Sequence, residues 1–183
     1  MTTFPVHTIE TAPEGSKPAL QGLQKALGLI PNLAATMANS PALVNSFVAA
    51  FGRFGESSFT GGERQILLLT NAVTNSCSWA VAFHSTIALK EGVNPTDVTA
   101  VRHRELPADP RLAALSTLTR TLIEKRGHLD DFDLKAFTAA GFDQDQVLEV
   151  ITGLAVSTMA NYTGNVADPP LEAPLQAQAW TAE

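Results

Sequence analysis

Two side chains in the middle of this chain can do nucleophilic or proton-transfer chemistry near neutral pH: the thiol of Cys77 and the imidazole of His84. Cys77 stands just ahead of an apolar run, at a predicted helix N-terminus. There unpaired N–H groups and the helix dipole favour an anion, so we expect a partly buried thiol that reacts faster than an ordinary cysteine. Against that stands the plain reading of a lone cysteine as a small core residue. His84 follows seven residues later. At about 100° per residue it shares a face with Cys77, but it sits ~10 Å further along the axis, too far for a direct hydrogen bond. One turn before His84 comes Ala80, which offers only a methyl group. Coupling of thiol and imidazole therefore needs a water or a side chain from another helix. Trp79, between Cys77 and Ala80, either walls a pocket or simply packs.

A second group precedes these on the previous predicted helix: Glu63, Arg64 and Gln65. Thr60-Gly61-Gly62-Glu63 is a capping-box pattern, so Glu63 reads as a helix-start residue. It lies about 200° around a helix from Gln65 and cannot act from the same face. The single cysteine cannot pair within its own chain, so redox chemistry at Cys77 requires a small thiol, a protein reductant or another subunit. Four scattered histidines and that cysteine show no metal-ligand spacing, and no metal or cofactor is expected.

The elements that must position these residues follow from the punctuation. Pro18 and Pro31 open two short helices over about 18–29 and 31–38, and Ser40-Pro41 starts a third through about Arg53. The apolar stretch 66–73 predicts a buried helix. Asn75 or Ser76 caps the next, whose residues 79–89 are apolar on nearly every face until Gly92 stops it. Asn94-Pro95, Asp109-Pro110 and Asp130 or Asp131 each restart a helix, the second carrying Leu112, Leu115, Leu118 and Leu122. A long helix then runs from Asp143 to about Tyr162, with Leu148, Ile151, Ala155 and Met159 along one stripe. In the tail, residues 166–183, Pro169, Pro170 and Pro174 preclude regular helix, while Leu171, Leu175 and Trp180 call for burial against the domain or a neighbour. The result is one all-α domain spanning 1–183, with its core region at 60–92.

Composition restricts the partners. Twelve basic residues against eighteen acidic ones give a net charge of −6, and their scatter argues against nucleic acid. No apolar run approaches the ~18 residues of a membrane span, and the N-terminal stretch lacks the regions of a secretory signal. A soluble, cytoplasmic protein is the expectation.

The full pattern, from Glu63-Arg64-Gln65 through an apolar helix to Cys77-Ser78-Trp79-Ala80, His84 and Gly92, resembles the alkylhydroperoxidase D-like branch of the carboxymuconolactone decarboxylase superfamily. The likeness extends to Ile30-Pro31-Asn32-Leu33, Ser40-Pro41, the run from Asn161 to Asn165, Pro170-Leu171 and Trp180. It implies a helical bundle with a two-helix antiparallel core and a homo-oligomer, from dimer to hexamer. It also implies a peroxidase-like oxidoreductase that reduces hydroperoxides through a cysteine pair served by a glutamate–histidine proton relay. By position, Cys77 matches the first cysteine and His84 the relay histidine. Ala80 replaces the second, peroxide-attacking cysteine, and Gln65 replaces the relay glutamate. A glutamine can orient His84 but cannot accept its proton. Any thiol cycle then needs an external thiol reductant. Two rival functions follow: a decarboxylase-like lyase or isomerase acting on a small carboxylate or lactone, with Arg64 as its only nearby cation, and a non-catalytic oligomer holding a small apolar ligand among Trp79, Ala80 and Phe83.

Overall fold

Prolines, capping side chains and left-handed turns set the helix ends throughout the computed structural model, which describes residues 4–182. The first three residues of the N-terminal stretch and the last residue of the tail, both read above, lie outside the described residues. Nine α-helices follow in order: α1 (Lys17–Leu27), α2 (Asn32–Met37), α3 (Pro41–Gly55), α4 (Gly61–Thr74), α5 (Ser78–Lys90), α6 (Pro95–Arg102), α7 (Pro110–Glu124), α8 (Asp131–Ala139) and α9 (Gln144–Ala167). Short 3-10 turns at Glu14–Ser16 and Ala173–Gln178 complete the described residues, which contain no strand. The expected all-α class is the one found.

Local chemistry explains most of the boundaries. Ser40, Asp109 and Asp130 accept hydrogen bonds from the amides of their first turns. At α4 the reciprocal box forms in full: Thr60 accepts from the Glu63 amide and Glu63 from the Thr60 amide. Two ends differ from the sequence reading. Neither Asn75 nor Ser76 caps α5. Asn75 ends α4, Ser76 turns the chain at φ 54°, and Cys77 itself is the N-cap residue in extended backbone. Helix α9 runs on past Tyr162 to Ala167, where Asp168 in the left-handed region (φ 44°) ends it ahead of Pro169. Asn161 and Asn165, which by local preference invite a stop, instead reach α4 and its end. Asn161 Nδ2 donates to Asn71 Oδ1 at 3.0 Å and Asn165 Nδ2 to the Asn75 carbonyl at 2.8 Å.

Helix α4 is the centre. Every residue from Ile66 to Val73 is buried, and α4 packs against α5, α6, α7 and α9. The connection to α5 is only Asn75, Ser76 and Cys77, so the two form an antiparallel hairpin. α5 buries Trp79, Ala80, Val81, Ala82, His84, Ser85 and Ala88, residues from all around its axis. It is therefore enclosed rather than laid on a surface.

Helix α9 corrects a second expectation. Its buried face carries Val147, Val150, Gly153, Val156, Ser157, Ala160, Asn161 and Gly164. The stripe legible in the sequence lies elsewhere: Leu148 is 65% and Ile151 48% exposed, with Tyr162 and Val166 also outward. Small residues take the inner face because α9 must approach α4 closely. At Gly153 a Cβ would stand 2.6 Å from Leu67 Cδ2 and 3.0 Å from the Phe54 ring.

The tail folds back over its own chain. Leu175 is buried, and the 3-10 turn lies along α5. The Arg102 guanidinium donates to the carbonyls of Gln178 and Ala179, and Trp180 Nε1 donates to the Arg102 carbonyl. Prolines exclude α-helix here, as expected, but leave room for that 3-10 turn.

The tight helix crossing gives a test. Gly153→Ala should lower stability to urea by about 1–3 kcal/mol, because neither Leu67 nor Phe54 can retreat within a filled core. An unchanged unfolding midpoint would show that the crossing has slack.

Candidate functional site

One face of α5 brings together Trp79, Ala80, Phe83 and His84, spaced one, three and one residues apart. That is the spacing of one helical face. Opposite them stand Phe47 and Phe51 of α3, Leu68 of α4, and Val156, Ser157 and Ala160 of α9, with Leu23, Leu27, Pro31, Leu33 and Ala34 closing the remaining side. They enclose a cavity of about 40 Å³. That is room for roughly three water molecules or a molecule of a few heavy atoms. Leu27, on its wall, is 42% exposed. The wall carries no charged residue, and its polar side chains are His84 and Ser157.

His84 is held from α4. Its Nδ1 lies 2.9 Å from Gln65 Oε1, and since an amide oxygen only accepts, Nδ1 carries the proton and donates. Nε2 is left as the ring's free acceptor. Burial alone pushes the imidazole pKa down to about 3, so the ring is neutral across the physiological range. A carboxylate in place of Gln65 would oppose that effect; the amide oxygen orients the ring without stabilising its charge. Phe83 lies edge-on to His84, with ring centroids 5.2 Å apart, and Trp79 stacks on Phe83 at 5.0 Å. Trp79 is fixed in turn by the tail: its Nε1 donates to Glu172 Oε2 at 2.9 Å, while Glu172 Oε1 accepts from the Asn32 amide at 2.6 Å.

Cys77 stands apart from this group. It is 1% exposed, it does not line the cavity, and its sulfur packs so closely on α9 that a Cβ at Gly164 would meet Sγ at 2.5 Å. Burial pushes its pKa up, and nearby Asp168 adds to the rise. The Ala80 and Trp79 amides oppose that rise, but neither closes a capping hydrogen bond to the sulfur. The expected partly buried, activated thiol is thereby corrected: the sulfur is buried outright and its pKa is raised. A helix terminus contributes a fraction of a charge's field, and here full desolvation outweighs it.

The flanking charged residues are committed elsewhere. Glu63 caps α4 and pairs with Arg111 Nε of α7 at 2.6 Å. Burial works to raise its pKa, yet the Thr60 amide and Arg111 together hold it below the usual carboxylate range. Arg64 donates to the Phe59 carbonyl and is not part of the cavity wall. Among the described residues no group of three or more His, Cys, Asp or Glu is gathered as a metal site would need. No helix among them is long and apolar enough to cross a membrane.

Of the residues singled out in the sequence, Gln65, Trp79, Ala80 and His84 meet, and Cys77 does not join them. Ser157 and Glu172 were missed. Each is brought in from more than seventy residues away along the chain, and nothing in its local pattern distinguishes it.

Residues 41–121 match the model of the carboxymuconolactone decarboxylase family. No curated protein matches the chain. Among solved structures, the fold is similar to an alkylhydroperoxidase AhpD core, an uncharacterized peroxidase-related protein from Ralstonia eutropha JMP134. The TM-score is 0.84 at 18% identity, covering 98% of this chain and 97% of that one. A peroxidase-related protein from Silicibacter sp. TM1040 superposes with TM-score 0.79 at 17% identity, covering 97% and 94%. The debrominase Bmp8 is similar at TM-score 0.77 and 20% identity, covering 97% and 96%, and a cysteine-to-alanine variant of it was solved with 2,3,4-tribromopyrrole.

The depressed imidazole makes stability pH-dependent with a definite sign. Above its ordinary value of 6.5, His84 is neutral whether the chain is folded or not. Below it, the unfolded imidazole takes up a proton that the folded one refuses until about pH 3, so stability falls as pH drops, by on the order of 1.4 kcal/mol per pH unit. In denaturant titrations between about pH 6.5 and 4.5, His84→Gln should lose up to ~3 kcal/mol less than the wild type over that window. Equal slopes for the two proteins would mean that the buried imidazole is not resisting protonation.

Proposed function

We propose that the His84 cavity of this chain, whose residues 41–121 match the carboxymuconolactone decarboxylase family model and whose fold is alkylhydroperoxidase D-like, takes up a small, uncharged, mostly apolar molecule and orients it by a hydrogen bond to His84. The observation that carries this reading is the wall itself: aromatic and aliphatic side chains, no charge, and an imidazole whose Nδ1 is already committed to Gln65. A carboxylate taken there would be desolvated with no cation to meet it, at a cost of several kcal/mol. Arg64, the cation that the lyase reading requires, is not on the wall.

The same imidazole limits the chemistry. With its protonation near pH 3, taking a proton from an X–H group of pKa ~10 costs roughly 10 kcal/mol. His84 therefore serves as a hydrogen-bond acceptor and orienting group rather than as a free base. Uncharged molecules with one X–H group meet these terms. Organic hydroperoxides are one such class, and halogenated pyrroles of the kind seen with the similar debrominase are another. The reading includes a cytoplasmic protein that associates with copies of itself, and the exposed apolar stripe of α9 supports the second part.

A thiol-peroxidase cycle is the second reading. Likeness to peroxidase-related proteins favours it, as does the closeness of the Ala80 and Trp79 amides to the sulfur. In that cycle the Cys77 thiolate attacks the terminal peroxide oxygen, the O–O bond breaks, and an alcohol leaves with a proton. The resulting sulfenic acid is reduced by an external dithiol. The buried, raised-pKa sulfur opposes it.

Two measurements separate these. Pyrrole should bind at least about tenfold more tightly than pyrrole-2-carboxylate by calorimetry, and Ala80→Leu, which fills the cavity, should abolish pyrrole binding. Equal or tighter binding of the carboxylate would return the lyase reading to first place. Cumene hydroperoxide consumption with a supplied dithiol should be the same for wild type and Cys77→Ser. A clear loss in the variant would establish the thiol cycle instead.

A further inference from the structure

Helix α9 carries four serine and threonine side chains over its middle and later turns, and three of them are used in the ordinary helical way. Thr152, Thr158 and Thr163 each donate to the carbonyl four residues earlier, at 3.5, 2.8 and 2.7 Å. Ser157 does not. It is 2% exposed, its Oγ has no hydrogen-bond partner, and it lines the same cavity as His84. A buried hydroxyl without a partner, on a wall that is apolar apart from His84, is an unmet demand for a polar atom.

We propose that Ser157 is the second polar anchor of the His84 cavity and selects ligands in which a hydrogen-bond donor and an acceptor sit on adjacent or nearly adjacent atoms. This rests on the reading that the cavity binds a small uncharged molecule. The two anchors are chemically distinct. His84 has only an acceptor free, because its Nδ1–H is given to Gln65. It therefore takes the ligand's X–H. The Ser157 hydroxyl is free to donate, so it takes the ligand's lone pair. The cavity of about 40 Å³ sets the spacing. A ligand of a few heavy atoms that meets both anchors carries its donor and its acceptor close together. The –O–O–H group of a hydroperoxide has this arrangement, and so does the N–N–H edge of a diazole. A simple alcohol or a pyrrole supplies the donor with no neighbouring acceptor atom.

Pyrazole and pyrrole form the test pair, since they share ring size and an N–H and differ in the lone-pair nitrogen beside it. By isothermal calorimetry the wild-type protein should bind pyrazole roughly five- to tenfold more tightly than pyrrole. Ser157→Ala should bring the two to the same affinity. The unliganded variant should melt at or above the wild-type temperature, because a buried hydroxyl without a partner has been removed. Persistence of the pyrazole preference in Ser157→Ala would overturn the proposal and leave the cavity reading intact. A lowered melting temperature with loss of both azoles would overturn it also, by making Ser157 a structural residue. If neither azole binds the wild type, the cavity reading itself falls, and the Ser157 anchor falls with it.

Discussion

Everything here depends on burying α4 on all sides without stranding its polar groups. A helix enclosed by neighbours cannot leave donors or acceptors unpaired without a cost of about 1–3 kcal/mol each. α4 meets that constraint by pairing most of its polar side chains across to its neighbours, with Asn71 Nδ2 left as an exception. Glu63 binds Arg111 and Thr70 binds Ser116, both of α7. Gln65 binds His84 of α5, and Asn71 accepts from Asn161 of α9. Net gains per bond are small, but the penalty for a mismatch fixes the register of each surrounding helix on the central one.

The candidate site is a by-product of that arrangement. The bond that locks α5 onto α4 is the one that sets the tautomer of His84. Because the partner is an amide and not a carboxylate, the bond confers orientation without charge. The small residues on α5 and α9 do two different jobs. Ala80 and Ala160 leave the cavity open, whereas Gly164 lets α9 close down on Cys77 until the sulfur is sealed. The thiol at the start of α5 and the imidazole two turns along it therefore face different surroundings: a filled contact for one, a small space for the other.

The tail completes the enclosure. Glu172 ties Trp79 to the start of α2, and Arg102 with Trp180 pins the last turn, so the aromatic wall of the cavity is buttressed by a segment a hundred residues removed from it in sequence. The stack from Trp79 through Phe83 to His84 extends this support to the imidazole. The outer face of α9 is the opposite case, an apolar stripe left exposed among the described residues.

Much of this was legible from residue order alone. Prolines, caps and apolar periods located the starts of the nine described helices within a few residues. The Thr60–Glu63 box was readable because both partners lie within one turn, and the family pattern picked out Gln65, Trp79, Ala80 and His84. What residue order could not supply was direction. The stripe of Leu148 and Ile151 has perfect helical spacing, yet it faces outward, because close packing on Leu67 and Phe54 requires glycine and small residues inside. Cys77 sits at a helix start, as its surroundings in sequence suggest, but its pKa follows its burial, and burial is set by Gly164 from another helix. Ser157 and Glu172 gained their roles only when distant segments met. Local capping and periodicity are short-range physics that the sequence carries in plain view; desolvation and cavity shape are sums over neighbours that only the folded chain assembles.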